Sequence, residues 1–202
     1  MAMTKRRVLK FSVALLMFFI VAAGVGLFYW KDTQKEVQSI ERAEHLAEQH
    51  RIFSEWYALY QKDVDDLSRN WQLYHHIIDT FKAEDIDLYS CHERLSRLMD
   101  DEKLLSARID ERNLPPELDE FLYEKSRVMR DKIRAYSSAQ YRTIERSVAA
   151  ADPSTVHSEL QAEQSRDIQE IMIRESPTGL FIADEVYAVR EYLAVNEEFS
   201  DG

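Results

Sequence analysis

Glycine, proline and cysteine are almost missing from this chain. The glycines are Gly24, Gly26, Gly179 and Gly202, the prolines Pro115, Pro116, Pro153 and Pro177, and the only cysteine is Cys91. From Leu27 to Leu114 neither helix breaker occurs, and runs of alternating β-branched residues are few, so the chain reads as all-α. Beyond residue 30 only Gly179 and Gly202 remain, which leaves no glycine-rich loop to cradle a phosphate. A single thiol excludes a disulfide framework and a zinc site built on several thiolates. At its place in the helical pattern Cys91 reads as a small buried apolar residue.

Metal and catalytic signatures are missing as well. The histidines are His45, His50, His75, His76, His92 and His157, with neither an H-E-x-x-H motif nor a Glu-x-x-His pair among them. His75 and Asp79 share a helix face, but two ligands do not make a metal site. Cys91 and His92 are adjacent, so on a helix they point about 100° apart. Acid runs such as Asp65-Asp66 and Asp100-Asp101-Glu102 read as solvated helix faces rather than as a general acid and base. The expectation is a protein that is not an enzyme, with no catalytic, cofactor-binding or metal-binding residue.

One long apolar run is present, from Phe11 to Trp30, without a charge in it. At about 1.5 Å per residue it matches the thickness of a bilayer's hydrocarbon core. Lys5, Arg6, Arg7 and Lys10 precede it, and it closes on Phe28-Tyr29-Trp30. The expected layout is a basic cytoplasmic tail over 1–10, a transmembrane signal anchor over 11–30, an extracytoplasmic helical bundle over 31–196 and an acidic disordered tail over 197–202. By the positive-inside rule the amino terminus faces the cytoplasm of an inner-membrane, single-pass protein with its other domain in the periplasm. A cleaved signal peptide, cut after Ala23, is the rival reading. Ala22-x-x-x-Gly26 has the small-residue spacing that lets such helices approach, so self-association is open.

Charge is lopsided. Residues 31–202 hold 22 of the 26 lysines and arginines and all 37 acids, a net −15. This argues against nucleic acid as a partner. Against that background, residues 121–150 carry seven cations and three acids.

The punctuation divides the rest into helices. A seam with steps of four and three, Phe53, Tyr57, Tyr60, Val64, Leu67, Trp71, Tyr74, Ile78 and Phe81, predicts one long heptad-patterned helix reaching about Lys82. Its flanking positions Trp56, Asp63, Asn70 and Ile77 lack the paired charges of a two-chain zipper, which favours packing within a bundle of four to five helices. Ser90-x-x-Glu93 suggests a capping box opening a second helix to about Arg112. Pro115-Pro116 suggest the first turn of a third helix to about Ala150, and Asp152-Pro153 the start of a fourth to about Glu175. A fifth is expected over about 181–196.

Two sets of residues are candidates for contact with a partner: the third-helix cations Arg127, Arg130, Arg134 and Arg142, and the seam aromatics Trp56 and Trp71. The first functional expectation is a non-enzymatic, membrane-anchored accessory or scaffold subunit that contacts other membrane or envelope proteins, with the bilayer engaged through residues 11–30. The alternative is a regulatory sensor subunit with a small-molecule site in the bundle. In layout alone the chain is similar to the ligand-binding half of bacterial chemoreceptor-type sensors, without their second span or signalling module.

Overall fold

The computed structural model describes the backbone of residues 2–155 and 160–198, and the side chains of 30–155 and 160–194 except Asp32. Five helices follow one another: α1 (Ala2–Lys82), α2 (Leu88–Glu111), α3 (Glu120–Ala150), α4 (Gln161–Glu175) and α5 (Ala183–Glu198), with no strand among the described residues. The all-α expectation holds.

The membrane expectation is corrected. Among the described residues no helix is long and apolar enough to cross a membrane, which overturns the single-pass inner-membrane placement. The described side chains of α1 give the reason, since Lys31, Lys35, Glu36, Glu41, Arg42, Glu44 and Glu48 recur too closely for hydrocarbon to accept them. The apolar run itself, except Trp30, lies outside the residues whose side chains are described. The acidic tail falls, from residue 199 on, outside the described residues as well.

The chain divides into two units, residues 1–48 with 194–202, and residues 49–193. In the first, Trp30, Val37 and Ile40 are exposed, and the Ser39 hydroxyl donates to the Glu36 carbonyl at 2.7 Å.

The second unit holds the core. Along α1 the buried residues are Gln49, Phe53, Trp56, Tyr60, Asp63, Leu67, Tyr74, Ile77, Ile78 and Phe81, while Tyr57, Val64 and Trp71 are only half-buried. The expected seam is therefore turned by about one residue. The column that begins at Trp56 faces inward, and with it come Asp63 and the half-buried Asn70. A strict heptad leaves two adjacent columns competing for the interior, and here packing chose the one containing polar residues.

The helix boundaries follow their caps. Asp87, not Ser90, caps α2: its Oδ1 accepts from the Ser90 N–H at 2.8 Å, so the helix begins earlier than the capping box suggested. Pro115 and Pro116 belong to a turn, closed by the Leu118 N–H on the Pro115 carbonyl at 3.4 Å, and α3 waits for Asp119, whose Oδ1 accepts from the Leu122 N–H at 2.8 Å. Asp152 caps only a local turn through Ser154, and α4 opens at Gln161. The end of α1 is a Schellman turn: the Asp85 N–H reaches the Thr80 carbonyl and the Glu84 N–H the Phe81 carbonyl, both at 3.1 Å. Glu84 accordingly sits at φ 61°, a conformation that costs a non-glycine residue about 1 kcal/mol. Gln161 ties this turn down, donating to the Phe81 and Ile86 carbonyls at 3.0 and 2.9 Å.

Two apolar clusters result. One gathers Phe53, Trp56, Tyr60 and Leu67 of α1 with Leu105, Ile109, Leu122, Met129, Ile133 and Val189. The other gathers Tyr74, Ile77, Ile78 and Phe81 with Cys91, Leu95, Leu98, Ile144 and Ile168. The inward face of α3 also buries Ser126, Ser137, Gln140, Thr143 and Ser147, polar side chains that hydrophobic periodicity does not flag. Cys91 is a free, buried thiol whose pKa burial pushes up to about 12.

Candidate functional site

Between the two clusters lies a polar ring carried by three helices. Asn70 of α1 donates to Glu102 Oε2 of α2 at 2.8 Å. Ser106, one turn further along α2, shares a hydrogen bond of 2.6 Å with Ser137 of α3. Gln140, one turn further along α3, donates to the Leu67 carbonyl at 2.9 Å, which returns the ring to α1 one turn before Asn70. Glu102 is 0% exposed. Its second oxygen, Oε1, and the Oε1 of Gln140 are buried and accept no hydrogen bond. Desolvation pushes the Glu102 carboxyl up to about 7, against the lowering effect of Asn70 and Ser137. The acid run 100–102, which reads as a solvated face, is solvated only at Asp100 and Asp101. A signal existed: Glu102 falls four residues after Leu98 and seven before Ile109, on the buried stripe of α2.

A second buried acid is treated differently. Asp63, 1% exposed, accepts from Arg108 Nε at 3.0 Å and from Arg112 Nε at 2.7 Å. Arg108 also reaches Asp66 at 2.5 Å. That hydrogen bond is the largest influence on Asp66, holding its carboxyl below the usual range, and the pair with Asp66 raises Arg108 in turn.

The α3 cations are mostly engaged within the chain. Arg127 forks onto Glu124 at 2.9 and 2.6 Å. Arg130 lies 3.4 Å from Asp131. Arg134 donates to the Asp110 carbonyl and stands 3.3 Å from its carboxylate. Lys125 lies over the Phe121 ring, 5.6 Å from its centroid. Arg142 differs from these: it is exposed and forms no ion pair among the described residues. Of the aromatic candidates, Trp56 is buried in the core, stacked near Tyr60 at 5.4 Å between centroids. Trp71 is half-buried, stacked on Tyr74 at 4.9 Å. The six candidates are therefore not brought together into one face.

What the cations do build is a groove. The connection from α4 to α5 is pinned to α3 at both ends. Thr143 donates to the Glu175 carbonyl at 2.5 Å, and Arg146 pairs with the Glu175 carboxylate. Lys132 donates to the Phe181 carbonyl at 2.8 Å and to both oxygens of Glu185 at 2.9 Å. Between these ties a groove of about 260 Å³ is lined by Ala135, Tyr136 and Ala139 of α3 and by 177–181. Gly179 is what lets the Phe181 ring fold back: a Cβ there would lie 3.1 Å from Phe181 Cζ. Phe181 nonetheless remains 76% exposed. Arg142 follows Ala139 by three residues on the same helix; it does not line the groove, and no acid of the described residues pairs with it.

No family matches. No protein-family model, no curated protein and no solved structure shows detectable similarity to this chain. Among the described residues no cluster of His, Cys, Asp and Glu could hold a metal ion.

Proposed function

We propose that this chain is a non-enzymatic helical interaction module, and that the groove between α3 and the 176–182 connection receives an acidic segment of a protein partner. The observation that supports this reading is Phe181. An aromatic ring of that size left open to solvent on a connection held by Thr143, Arg146 and Lys132 is a preformed, low-entropy contact surface. Small floor residues, Ala135 and Ala139, leave room for a side chain beside it, and Arg142 offers a guanidinium that no acid of the described chain occupies. Aromatic and arginine anchors of this kind carry a disproportionate share of interface energy. Since the chain is strongly acidic, an arginine on the groove's helix with no acid of the described chain on it gives an acidic partner a place to dock.

The test is affinity purification of the tagged chain from its native cells, comparing wild type with Phe181→Ser and Arg142→Glu. The expected result is a partner in fixed stoichiometry that both variants lose while circular dichroism and melting temperature stay unchanged. Purification of the chain alone, or a partner retained by both variants, would sink the reading.

A further inference from the structure

Burying a carboxylate without a cation costs far more than burying the neutral acid, so the folded state selects the protonated form unless a cation is supplied. Among the described residues no cation pairs with Glu102. From α1 it meets the neutral amide of Asn70, and the next buried acid on that helix, Asp63, is committed to Arg108 and Arg112. From α3 it meets Ser137 and feels Tyr136, whose hydroxyl is pushed up mainly by burial and then by Glu102 itself. On its own helix Asp101 and Lys103 point to solvent. No charged side chain contributes to the shift of Glu102.

The geometry agrees. Glu102 is fully enclosed, its Oε2 takes a hydrogen bond from the neutral Asn70 amide, and the buried Oε1 atoms of Glu102 and Gln140 accept none. One added proton removes the charge and turns an acceptor into a donor. A metal ion would need several oxygens around an open volume, and none of the five ring residues lines the groove described above. We infer that the ring is a proton-binding site in which Glu102 sits as the neutral acid, its proton removing a buried charge that no cation in the ring offsets. The proton is taken from solvent as the three helices close and returned when they open. Packing of α1, α2 and α3 is thereby coupled to acidity near neutrality.

The sign is fixed by linkage. A carboxyl raised in the folded state binds more protons folded than unfolded, so its contribution is full in acid and is lost as pH rises through about 7. The experiment is urea unfolding of the full-length chain between about pH 5 and pH 8, wild type against Glu102→Gln. The expected result is a folding constant that falls roughly 50- to 100-fold further for wild type than for the variant over that range. Parallel curves would overturn the proposal. Because Glu102→Gln could fold poorly, infrared difference spectra of the unmodified chain give an independent reading. A buried carboxylic C=O band that disappears near neutral pH supports the site. A glutamate population that is wholly ionised by about pH 6, or a midpoint that moves with sodium or potassium concentration at fixed pH, overturns it.

Discussion

Asp63 and Glu102 are two fully enclosed acids in one bundle, and the chain handles them in opposite ways. Asp63 is met by two guanidinium groups, Arg108 of α2 and Arg112 at its C-cap, so its charge enters the interior already answered. Glu102 is met by an amide and hydroxyls, which can accept or donate but carry no charge to offset its own. The first arrangement offsets a buried charge, and the second leaves one without an offset. The Arg108 cluster and the ring have opposed pH slopes. The Arg108 cluster loses stability as pH falls through the depressed value of Asp66, whereas the ring loses it as pH rises through about 7. Stability is therefore expected to peak on the acid side of neutrality, between the two transitions.

This contrast can be broken at several points. Asp63→Ala strands Arg112 against the core and leaves Arg108 only Asp66, and should cost about 3 kcal/mol in urea denaturation at neutral pH, the largest effect expected here. A loss below about 1 kcal/mol would mean that solvent already satisfies the half-exposed Arg108. Replacing each acid by its amide should act with opposite sign at about pH 8: Asp63→Asn destabilises, while Glu102→Gln stabilises by roughly 2 kcal/mol. Melting curves of the two variants side by side check it. Asn70→Ala removes the hydrogen bond that helps hold the Glu102 carboxyl down, so its infrared titration should move to higher pH at a cost of about 1 kcal/mol. Arg127→Ala touches only an exposed pair with Glu124, and its urea midpoint should match that of wild type.

Helix content and order were legible in the sequence because breakers are so few that each one marks a connection. The inward face of α1 was legible only in part. Phe53, Tyr60, Leu67, Tyr74 and Phe81 lie inside, as the heptad indicated, but the polarity of Asp63 and Asn70 made the column beside Tyr57 look like the outer one. What reverses that choice is Arg112, 49 residues away, and Glu102, 32 residues away. Local periodicity has no access to partners so distant. The start of α2 was misplaced because Asp87 and Ser90 are both good caps, and only the backbone shows which oxygen accepts. The third helix stood out as a basic segment, yet its arginines could not be sorted into engaged and free until Glu124, Asp131, Asp110 and Glu175 were placed beside them. Phe181 gave no signal at all, since one aromatic residue after a Pro-Thr-Gly turn has no period.

Cys91, finally, turns the second apolar cluster into a clock. The thiol is enclosed and held protonated by burial, so in the closed bundle it is no nucleophile. Any reaction it undergoes must wait for the first turns of α2 to lift away from Phe81 and Ile168. A disulfide reagent added in excess would thus read an opening rate, not a chemical one, from a single native atom and without introducing a label. Because the chain has no other cysteine, that rate reports a single site.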